Sequence, residues 1–265
     1  MLIVKDVHKT FFPGSVNEKK ALQGVDLTLK DGDFVTVIGS NGAGKSTLLN
    51  AVAGVFPIDT GRIEISGTDV TKMPESQRAR FIGRVFQDPM KGTAAGMMIE
   101  ENLAMAARRG KRPGLRWSSQ GEQTERFKAM LRELDLGLED RMTAHVGLLS
   151  GGQRQAVTLL MATLVRPELL LLDEHTAALD PKTAEKVLQL TDRIVRQHNL
   201  TTLMITHNMR DALRFGNRLI MMHAGRVVED IPGDVKKTLA VPDLLDLFEK
   251  RAGKDVAVGD AMLLG

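Results

Sequence analysis

The stretch GSNGAGKST, residues 39–47, follows the short apolar segment FVTVI and leads into STLLNAVAGV, whose pattern is typical of a helix. It matches the motif G-x-x-x-x-G-K-[ST] in full. In such a strand–loop–helix unit the glycines let backbone N–H groups wrap phosphate oxygens, a Lys meets the β- and γ-phosphates, and a Ser is a ligand for Mg²⁺. The sequence therefore predicts a phosphate-binding loop made of Gly39, Ser40, Asn41, Gly42, Ala43, Gly44, Lys45, Ser46 and Thr47. A dinucleotide-binding fingerprint is excluded, because Thr47 stands where its third glycine would be.

A second motif, LLLLDE at residues 169–174, predicts a buried strand that ends in two carboxylates. Behind a phosphate-binding loop, a strand ending in Asp173 supplies a carboxylate for the Mg²⁺ that this loop binds, so Ser46 and Asp173 are both candidate metal ligands. Glu174 can orient and polarise an attacking water. Acidic residues at a strand end are ordinary by themselves, and it is the upstream loop that favours the catalytic interpretation.

Two further strand ends carry candidate site residues. Gln87, in RVFQDP, can touch Mg²⁺ or water through its amide, or is simply a polar strand end. His207, in MITHN, follows an apolar run whose carboxyl end should meet the phosphates. The remaining histidines with no such setting are expected to be structural: His8, His145, His198 and His223.

The segment LLSGGQRQAV, residues 148–157, resembles a second phosphate grip. A Ser, two Gly and a Gln precede an apolar helical stretch, and the start of a helix offers free N–H groups and a positive dipole end. Residues 39–47 already account for phosphate binding, so the residues within one chain do not explain why a second phosphate-binding stretch is present.

Around these motifs, strands alternate with helices, which indicates an α/β core with a parallel sheet. Residues 88–165 show helical periodicity and no strand signal, so we expect a helical subdomain inserted into that core. The expected division is an α/β core that carries the phosphate-binding loop at residues 1–87 and 166–232, a helical subdomain that carries LSGGQ at 88–165, and a C-terminal helix and tail at 233–265.

The composition narrows the classes of function. The chain has 265 residues, 43% hydrophobic, with a formal net charge of +3, too small an excess to imply nucleic acid as a partner. It has no cysteine, which excludes disulfides and thiolate metal sites. We find no apolar run long enough for a membrane span. We therefore expect a soluble chain whose role at a membrane would need partner chains.

The motifs occur together and in order: residues 39–47, Gln87, LSGGQ (Leu149, Ser150, Gly151, Gly152 and Gln153), Asp173–Glu174, AALD ending in Asp180, and His207. Over roughly residues 1–230 the chain resembles the nucleotide-binding subunit of ATP-binding-cassette (ABC) transporters. The resemblance implies an ATPase with a P-loop NTPase (RecA-like) core, an N-terminal antiparallel β subdomain and an inserted α-helical subdomain. It also implies ATP and Mg²⁺ as ligands, Glu174, His207 and Gln87 in catalysis, and Ser46, Gln87 and Asp173 around the metal.

The resemblance also explains why LSGGQ looks like a second phosphate-binding stretch. In this family two cassettes close head to tail, and the LSGGQ of one chain binds the nucleotide held by the P-loop of the other. Ser150 and its neighbours are then expected to contact ATP only across a homodimer. The family has Tyr as its usual base-stacking residue, for which Phe11 and Phe12 are the candidates here; we favour Phe11, and packing in the core is the alternative for either.

A finer resemblance is to ATPases of tryptophan/tyrosine-type uptake systems, carried by HKTFFPGSVNEKKALQGVDL, RVFQDPMKGTAAGM and LLLLDEHTAALDPKTA. It implies two membrane permease subunits, an extracytoplasmic substrate-binding protein and a location on the cytoplasmic face of the cell membrane. His175 departs from the family, which has Pro there. The rivals are a soluble ABC ATPase in cofactor assembly or another non-transport process, and a small kinase or GTPase, which would not need LSGGQ.

Overall fold

A computed structural model describes residues 1–111 and 120–252. The strands are β1 (Leu2–Phe11), β2 (Lys19–Leu29), β3 (Phe34–Ile38), β4 (Thr60–Ile65), β5 (Thr68–Asp69), β6 (Ile82–Val85), β7 (Leu169–Asp173), β8 (Thr202–Ile205), β9 (Arg218–His223) and β10 (Arg226–Pro232). The helices are α1 (Lys45–Ala53), α2 (Glu75–Arg78), α3 (Ile99–Ala106), α4 (Gln120–Arg132), α5 (Gly151–Thr163), α6 (Pro181–Gln197), α7 (Met209–Arg214), α8 (Gly233–Lys236) and α9 (Val241–Ala252). The end of the predicted C-terminal tail, residues 253–265, lies outside the described residues.

The described residues form two compact units, the first within residues 1–78 and 199–265 and the second within residues 79–198. These limits differ from those predicted for the ATP-binding core and the helical subdomain. The predicted functional division remains a prediction, since compactness alone does not assign a function to either unit.

The first unit contains two sheets. Strands β2, β1, β4 and β5 form an antiparallel sheet in that order. In the other sheet β3 lies between β8 and β9 and runs parallel to both, with Val35 paired to Leu203 on one side and to Arg218 on the other. All five residues of β3 are buried, as expected for a short apolar strand in a parallel sheet. The N-terminal antiparallel β subdomain and the α/β core are both present, as predicted.

Helix α9 completes the apolar core of the first unit. Leu244 and Phe248, four residues apart on one helix face, are buried in a cluster with Ile38 of β3 and Met221 of β9. The predicted C-terminal amphipathic helix therefore has a clear structural reason, which is to cover residues at the end of the central strand.

The second unit combines two parallel strands with helices. Strands β6 and β7 pair in parallel, with Ile82 opposite Leu169 and Val85 opposite Leu172. Gly83 in β6 is needed for close packing, because a Cβ there would lie 2.3 Å from the backbone oxygen of Ala162 in α5. Helices α3, α4 and α5 fall within residues 88–165, the stretch predicted to be helical.

A buried lysine supports the C-terminal part of the first unit. Lys236, 2% exposed, donates from Nζ to the backbone oxygens of Phe215 and, at 3.2 Å, Gly216. It also donates to Thr36 Oγ1 on β3 at 3.4 Å. Burial lowers the pKa of Lys236 to about 8 from its ordinary 10.5, because the charged ammonium loses its hydration.

This shift predicts a specific dependence of stability on pH. Between pH 8 and 10.5 the unfolded chain keeps the Lys236 proton that the folded chain releases, so the free energy of unfolding should rise with pH. From pH 7.5 to 9.5 we expect a rise on the order of 1–2 kcal/mol in the wild type relative to Lys236→Met, measured by urea unfolding. Parallel pH profiles for the two proteins would contradict the assignment.

Candidate functional site

The phosphate-binding loop connects β3 to α1 in a conformation that requires glycine. Gly39 has φ 154°, and a Cβ there would lie 2.2 Å from the backbone oxygen of Met222. Gly44, the residue before α1, has φ 98°, and a Cβ there would lie 2.6 Å from the backbone oxygen of Ala21. The first and last glycines of the motif are therefore fixed by close backbone packing as well as by the need for a positive φ.

Lys45 begins α1 and is held inside this loop. Its side chain is 6% exposed, and Nζ donates to the backbone oxygens of Gly39 at 2.6 Å and Ser40 at 3.0 Å. Gly44 provides no side-chain cap for the helix, so the first N–H groups of α1 face the loop with the positive end of the helix dipole. A cation, glycines and a helix N-terminus at one place fit the phosphates of a nucleotide.

The turn between β9 and β10 braces the loop, through contacts that sequence reasoning missed. Gly225 donates its N–H to the backbone oxygen of Ala43 at 2.9 Å. Gln23 on β2 donates its side-chain amide to the oxygen of Ala224 at 2.8 Å and its backbone N–H to the oxygen of Gly225 at 2.9 Å. These partners lie about two hundred positions apart in the chain, so no local pattern could reveal them.

His207 lies at the same sheet edge as the loop. It follows β8 by two residues, while the loop follows β3 directly, and these two strands are parallel neighbours within the first unit. A hydrogen bond joins the two strand ends: the Thr206 N–H donates to the backbone oxygen of Val37 at 3.2 Å. The structure thus places His207 and the phosphate-binding loop at one carboxyl edge, where α/β sheets bind their ligands.

The two phenylalanine candidates at the end of β1 differ in their surroundings. The Phe11 ring meets Phe56 edge to face, with 5.2 Å between ring centroids and Lys9 Nζ 5.6 Å from each centroid. Phe12 is 68% exposed and has φ 52°, in the left-handed region. Phe11 is therefore a partly exposed ring with a fixed orientation, whereas Phe12 belongs to the turn that follows the strand.

In the second unit the acidic pair lies where predicted. Asp173 is the last residue of β7, and Gln87 follows the parallel neighbour β6 by two residues, so both lie at one carboxyl edge. Arg84 Nη2 approaches Asp173 Oδ2 at 3.9 Å. Gln87 is exposed, which leaves its amide accessible to a ligand or a moving partner.

Glu174 occupies a strained backbone position. Its φ is 48°, in the left-handed region that non-glycine residues enter at a cost of about 1–3 kcal/mol, so surrounding contacts must hold it there. One such contact is a turn in which the Ala177 N–H donates to the Glu174 oxygen at 2.9 Å. Six other non-glycine residues of the described part of the chain also have a positive φ, so the catalytic role of Glu174 stays a prediction.

The next residue, His175, is buried at 2% exposure, and its Nε2 lies 3.0 Å from Thr191 Oγ1 on α6. Burial lowers the pKa of His175 to about 4, so its imidazole is neutral at pH 7. The sequence showed only that His replaces the usual Pro here. Its partner lies on another element and could not be read from the motif.

The LSGGQ stretch forms the N-terminus of α5. Ser150 is the N-cap: its Oγ accepts from the Gln153 N–H at 3.3 Å, and its own N–H donates to Gln153 Oε1 at 3.2 Å. This reciprocal capping box explains why Ser and Gln stand three residues apart. Leu149 is buried and Ser150 is exposed, so the polar start of the helix faces outward.

The two glycines of this stretch pack against the segment that begins α6. A Cβ on Gly152 would lie 2.1 Å from Thr183 Cγ2, and a Cβ on Gly151 would lie 3.0 Å from Leu179 Cδ2. Asp180 caps α6 by accepting from the Thr183 N–H at 3.1 Å, and hydrogen bonds from Thr183 lower the pKa of Asp180. The predicted signature and Asp180 therefore form one packed region within the second unit.

No group of three or more His, Cys, Asp or Glu side chains suited to a metal ion occurs among residues 1–111 and 120–252. Over the same described part of the chain, no helix is long and apolar enough to cross a membrane. A site made of one carboxylate, one hydroxyl and substrate phosphates remains compatible with Mg²⁺, which characteristically binds in that way.

Known proteins of one family match this chain. A family model described as ABC transporter matches residues 22–177. The tyrosine transport ATP-binding protein of Clostridioides difficile is 44% identical over 250 residues, which cover 94% of this chain and 99% of that protein. The methionine import ATP-binding protein MetN of Rhizobium johnstonii is 39% identical over 84% of this chain, which spans only 59% of the length of MetN.

Among solved structures, a dimeric ATP-binding cassette in a post-hydrolysis state, bound to ADP and Pi, has a TM-score of 0.75 at 30% identity. The match covers 88% of this chain and 99% of that one. The chain therefore belongs to the ABC transporter family and is an ATP-binding, ATP-hydrolysing subunit. The predicted fold class, family and ATPase activity are confirmed.

Proposed function

We propose that this ATPase powers an importer of a small solute, an amino acid of the aromatic or methionine type. The observation that supports it is the 44% identity, over nearly the whole of both chains, to a protein named for tyrosine transport, beside relatives named for methionine import.

The proposed roles of the site residues follow from their chemistry. Lys45 binds the β- and γ-phosphates together with the loop N–H groups, and neutralises charge that develops on the γ-phosphate. Glu174 orients the attacking water and accepts its proton. His207 contacts the γ-phosphate from the edge of the sheet that also carries the loop.

Mg²⁺ fits the oxygen donors of this chain. Ser46 follows the phosphate lysine, Asp173 ends a buried strand and Gln87 has an exposed amide, and we propose that these three residues hold the ion. When bound, Mg²⁺ supplies positive charge to the phosphate oxygens and helps to align them.

The nucleotide site is proposed to be completed by a second copy of the chain. Ser150, Gly151 and Gly152 of one protomer bind the γ-phosphate held by Lys45 of its partner, with Asp180 beside that contact. The exposed capping box at the start of α5 supports this, because its polar end faces outward. ATP then stabilises the closed dimer, and hydrolysis with phosphate release reopens it.

Phe11 is proposed to stack on the adenine. The partly exposed Phe11 ring is held edge to face by Phe56, so little side-chain entropy is lost when a base stacks on it. Phe12 remains the alternative because of its high exposure.

The proposed partners are two membrane permease subunits and an extracytoplasmic substrate-binding protein, with this chain docked on the cytoplasmic face. Affinity purification from native membranes tests this arrangement. Co-purification of multi-span proteins is the expected result, whereas soluble assembly factors alone would favour an ABC ATPase outside transport.

Lys45→Ala tests the phosphate grip itself. Removing the ammonium should weaken ATP binding about 10–100-fold, the range for losing charge-assisted hydrogen bonds to a phosphate. The fold should persist, since the ammonium of Lys45 donates to backbone oxygens of its own loop, those of Gly39 and Ser40. Calorimetric titration measures the affinity; unchanged ATP binding by a folded Lys45→Ala protein would refute the assignment.

A further inference from the structure

The segment between β7 and α6, residues 174–180, contains one buried side chain among its described residues. That residue is His175, while Ala177, Ala178 and Asp180 are exposed. Most polar side chains that enter a protein interior form hydrogen bonds there. The contact of His175 with Thr191 is therefore a specific attachment of this segment to the middle of α6.

We assign the direction of this hydrogen bond from the next one. Thr191 Oγ1 lies 2.8 Å from the backbone oxygen of Val187, which can only accept, and we assign the single hydroxyl proton to that bond. Toward His175 the hydroxyl then accepts, and Nε2 carries the proton that bridges the 3.0 Å between them. A chain of two hydrogen bonds runs from His175 through Thr191 to the backbone of α6.

This attachment begins at the peptide that follows Glu174. Glu174 is held at φ 48°, a conformation that persists only when neighbouring contacts determine it. The turn closed by Ala177 fixes the Glu174 carbonyl from one side. The buried imidazole one residue on fixes the same peptide from the other side.

We propose that His175 is a positioning residue for ATP hydrolysis: by donating its Nε2 proton to Thr191, it holds the backbone of Glu174 and hence its carboxylate. The inference rests on the proposed role of Glu174 as the residue that orients the attacking water. It assigns a function to Thr191 as well, as the acceptor that keeps His175 in place.

The test is a substitution that removes the acceptor without changing the shape of the side chain. Thr191→Val leaves His175 without its partner, and the carboxylate of Glu174 loses its fixed position. Since a misplacement of 1 Å can cost about 100-fold in rate, we expect kcat for ATP hydrolysis to fall ~10- to 100-fold in the full chain. The KM for ATP should stay within about 2-fold, because the phosphate-binding loop is untouched.

Two variants control for mere loss of packing. Thr191→Ser retains the hydroxyl and should keep kcat close to that of the wild type. Thr163→Val removes another helical hydroxyl, which donates to the Leu159 oxygen at 2.9 Å, and should also leave kcat unchanged. If replacing any helical threonine by valine lowered the activity, kcat would fall in both Thr191→Val and Thr163→Val.

Substitutions of His175, the donor of the same hydrogen bond, give an independent test. His175→Phe removes the donor, and His175→Gln can still donate through its amide, so kcat should fall in the first and largely survive in the second. The double variant His175→Phe/Thr191→Val should lose no more than either single variant, since both break one bond. If Thr191→Val does not fold, as judged by thermal unfolding, the comparison of Phe with Gln at position 175 decides the question.

Glu174→Gln, assayed in parallel, distinguishes the proposed role of His175 from the proposed role of Glu174. If Glu174→Gln abolishes turnover while Thr191→Val and His175→Phe keep the wild-type kcat, the positioning role of His175 is wrong and the role of Glu174 stands. If Glu174→Gln itself turns over normally, the proposed role of Glu174 fails and this inference fails with it. A selective fall in kcat, rescued by Thr191→Ser, is the result that the inference predicts.

Discussion

Replacing Glu174 by Gln should leave ATP binding intact and lower the rate of hydrolysis by about 10²–10⁴-fold, the contribution typical of a positioned base. The amide has nearly the shape of the carboxylate but cannot accept the proton of the attacking water. In the proposed cycle ATP closes the dimer and hydrolysis reopens it, so this variant should also accumulate as an ATP-bound dimer, visible by size-exclusion chromatography.

The matched control is Glu185→Gln, the same change in α6, where Glu185 accepts from the side chain of Gln189 four residues later in the same helix. Its hydrolysis rate should equal that of the wild type. Normal turnover by Glu174→Gln would remove Glu174 from the mechanism, and failure to bind ATP would show that its role is not confined to the chemical step.

Ser150→Arg is expected to spare the binding of ATP by the monomer and to block its hydrolysis. Ser150 is exposed at the start of α5, and a large cation there would occupy the space proposed for the partner's nucleotide. Loss of preorganised donors around a phosphate costs about 10²–10³-fold in rate, and the steric block adds to it. ATP titration and a phosphate-release assay measure the two effects separately.

Ser76→Arg, which adds the same side chain at an exposed position of α2 outside every motif, controls for the added charge. The two variants should also lose different activities: Ser150→Arg should lose hydrolysis and keep ATP binding, whereas Lys45→Ala should lose ATP binding itself. Hydrolysis at the wild-type rate by Ser150→Arg would mean that LSGGQ is not a second phosphate grip in this protein.

Local sequence patterns were sufficient to predict the parts of the site that depend on short-range geometry. The apolar run before Gly39 predicted a buried strand, and the spacing of the glycines and Lys45 predicted the loop, in which Lys45 bonds to the nearby backbone oxygen of Gly39. The packing of Gly39 on Met222 and of Gly44 on Ala21 depends on distant residues and could not be read locally. Ser150 and Gln153 cap each other across three residues, so the start of α5 could be read directly.

Features that depend on long-range contacts could not be read in this way. The bond from Gln23 to Ala224 spans 201 positions, and the burial of Lys236 depends on oxygens of Phe215 and Gly216. The burial of His175 depends on α6. The four-residue helices α2 and α8 were missed because they are too short to show a helical period.

In the proposed dimer, the phosphate-binding loop of one chain and the LSGGQ of another bind the same ATP. The absence of native cysteine allows a direct measurement. One chain carries Asn41→Cys in the loop and a second, larger tagged chain carries Leu148→Cys beside LSGGQ, both at exposed positions and both with Glu174→Gln. A short bismaleimide should link the two chains in the presence of ATP and Mg²⁺ and not in their absence. Cross-linking that does not respond to ATP, or that joins only loop to loop, would contradict the head-to-tail arrangement.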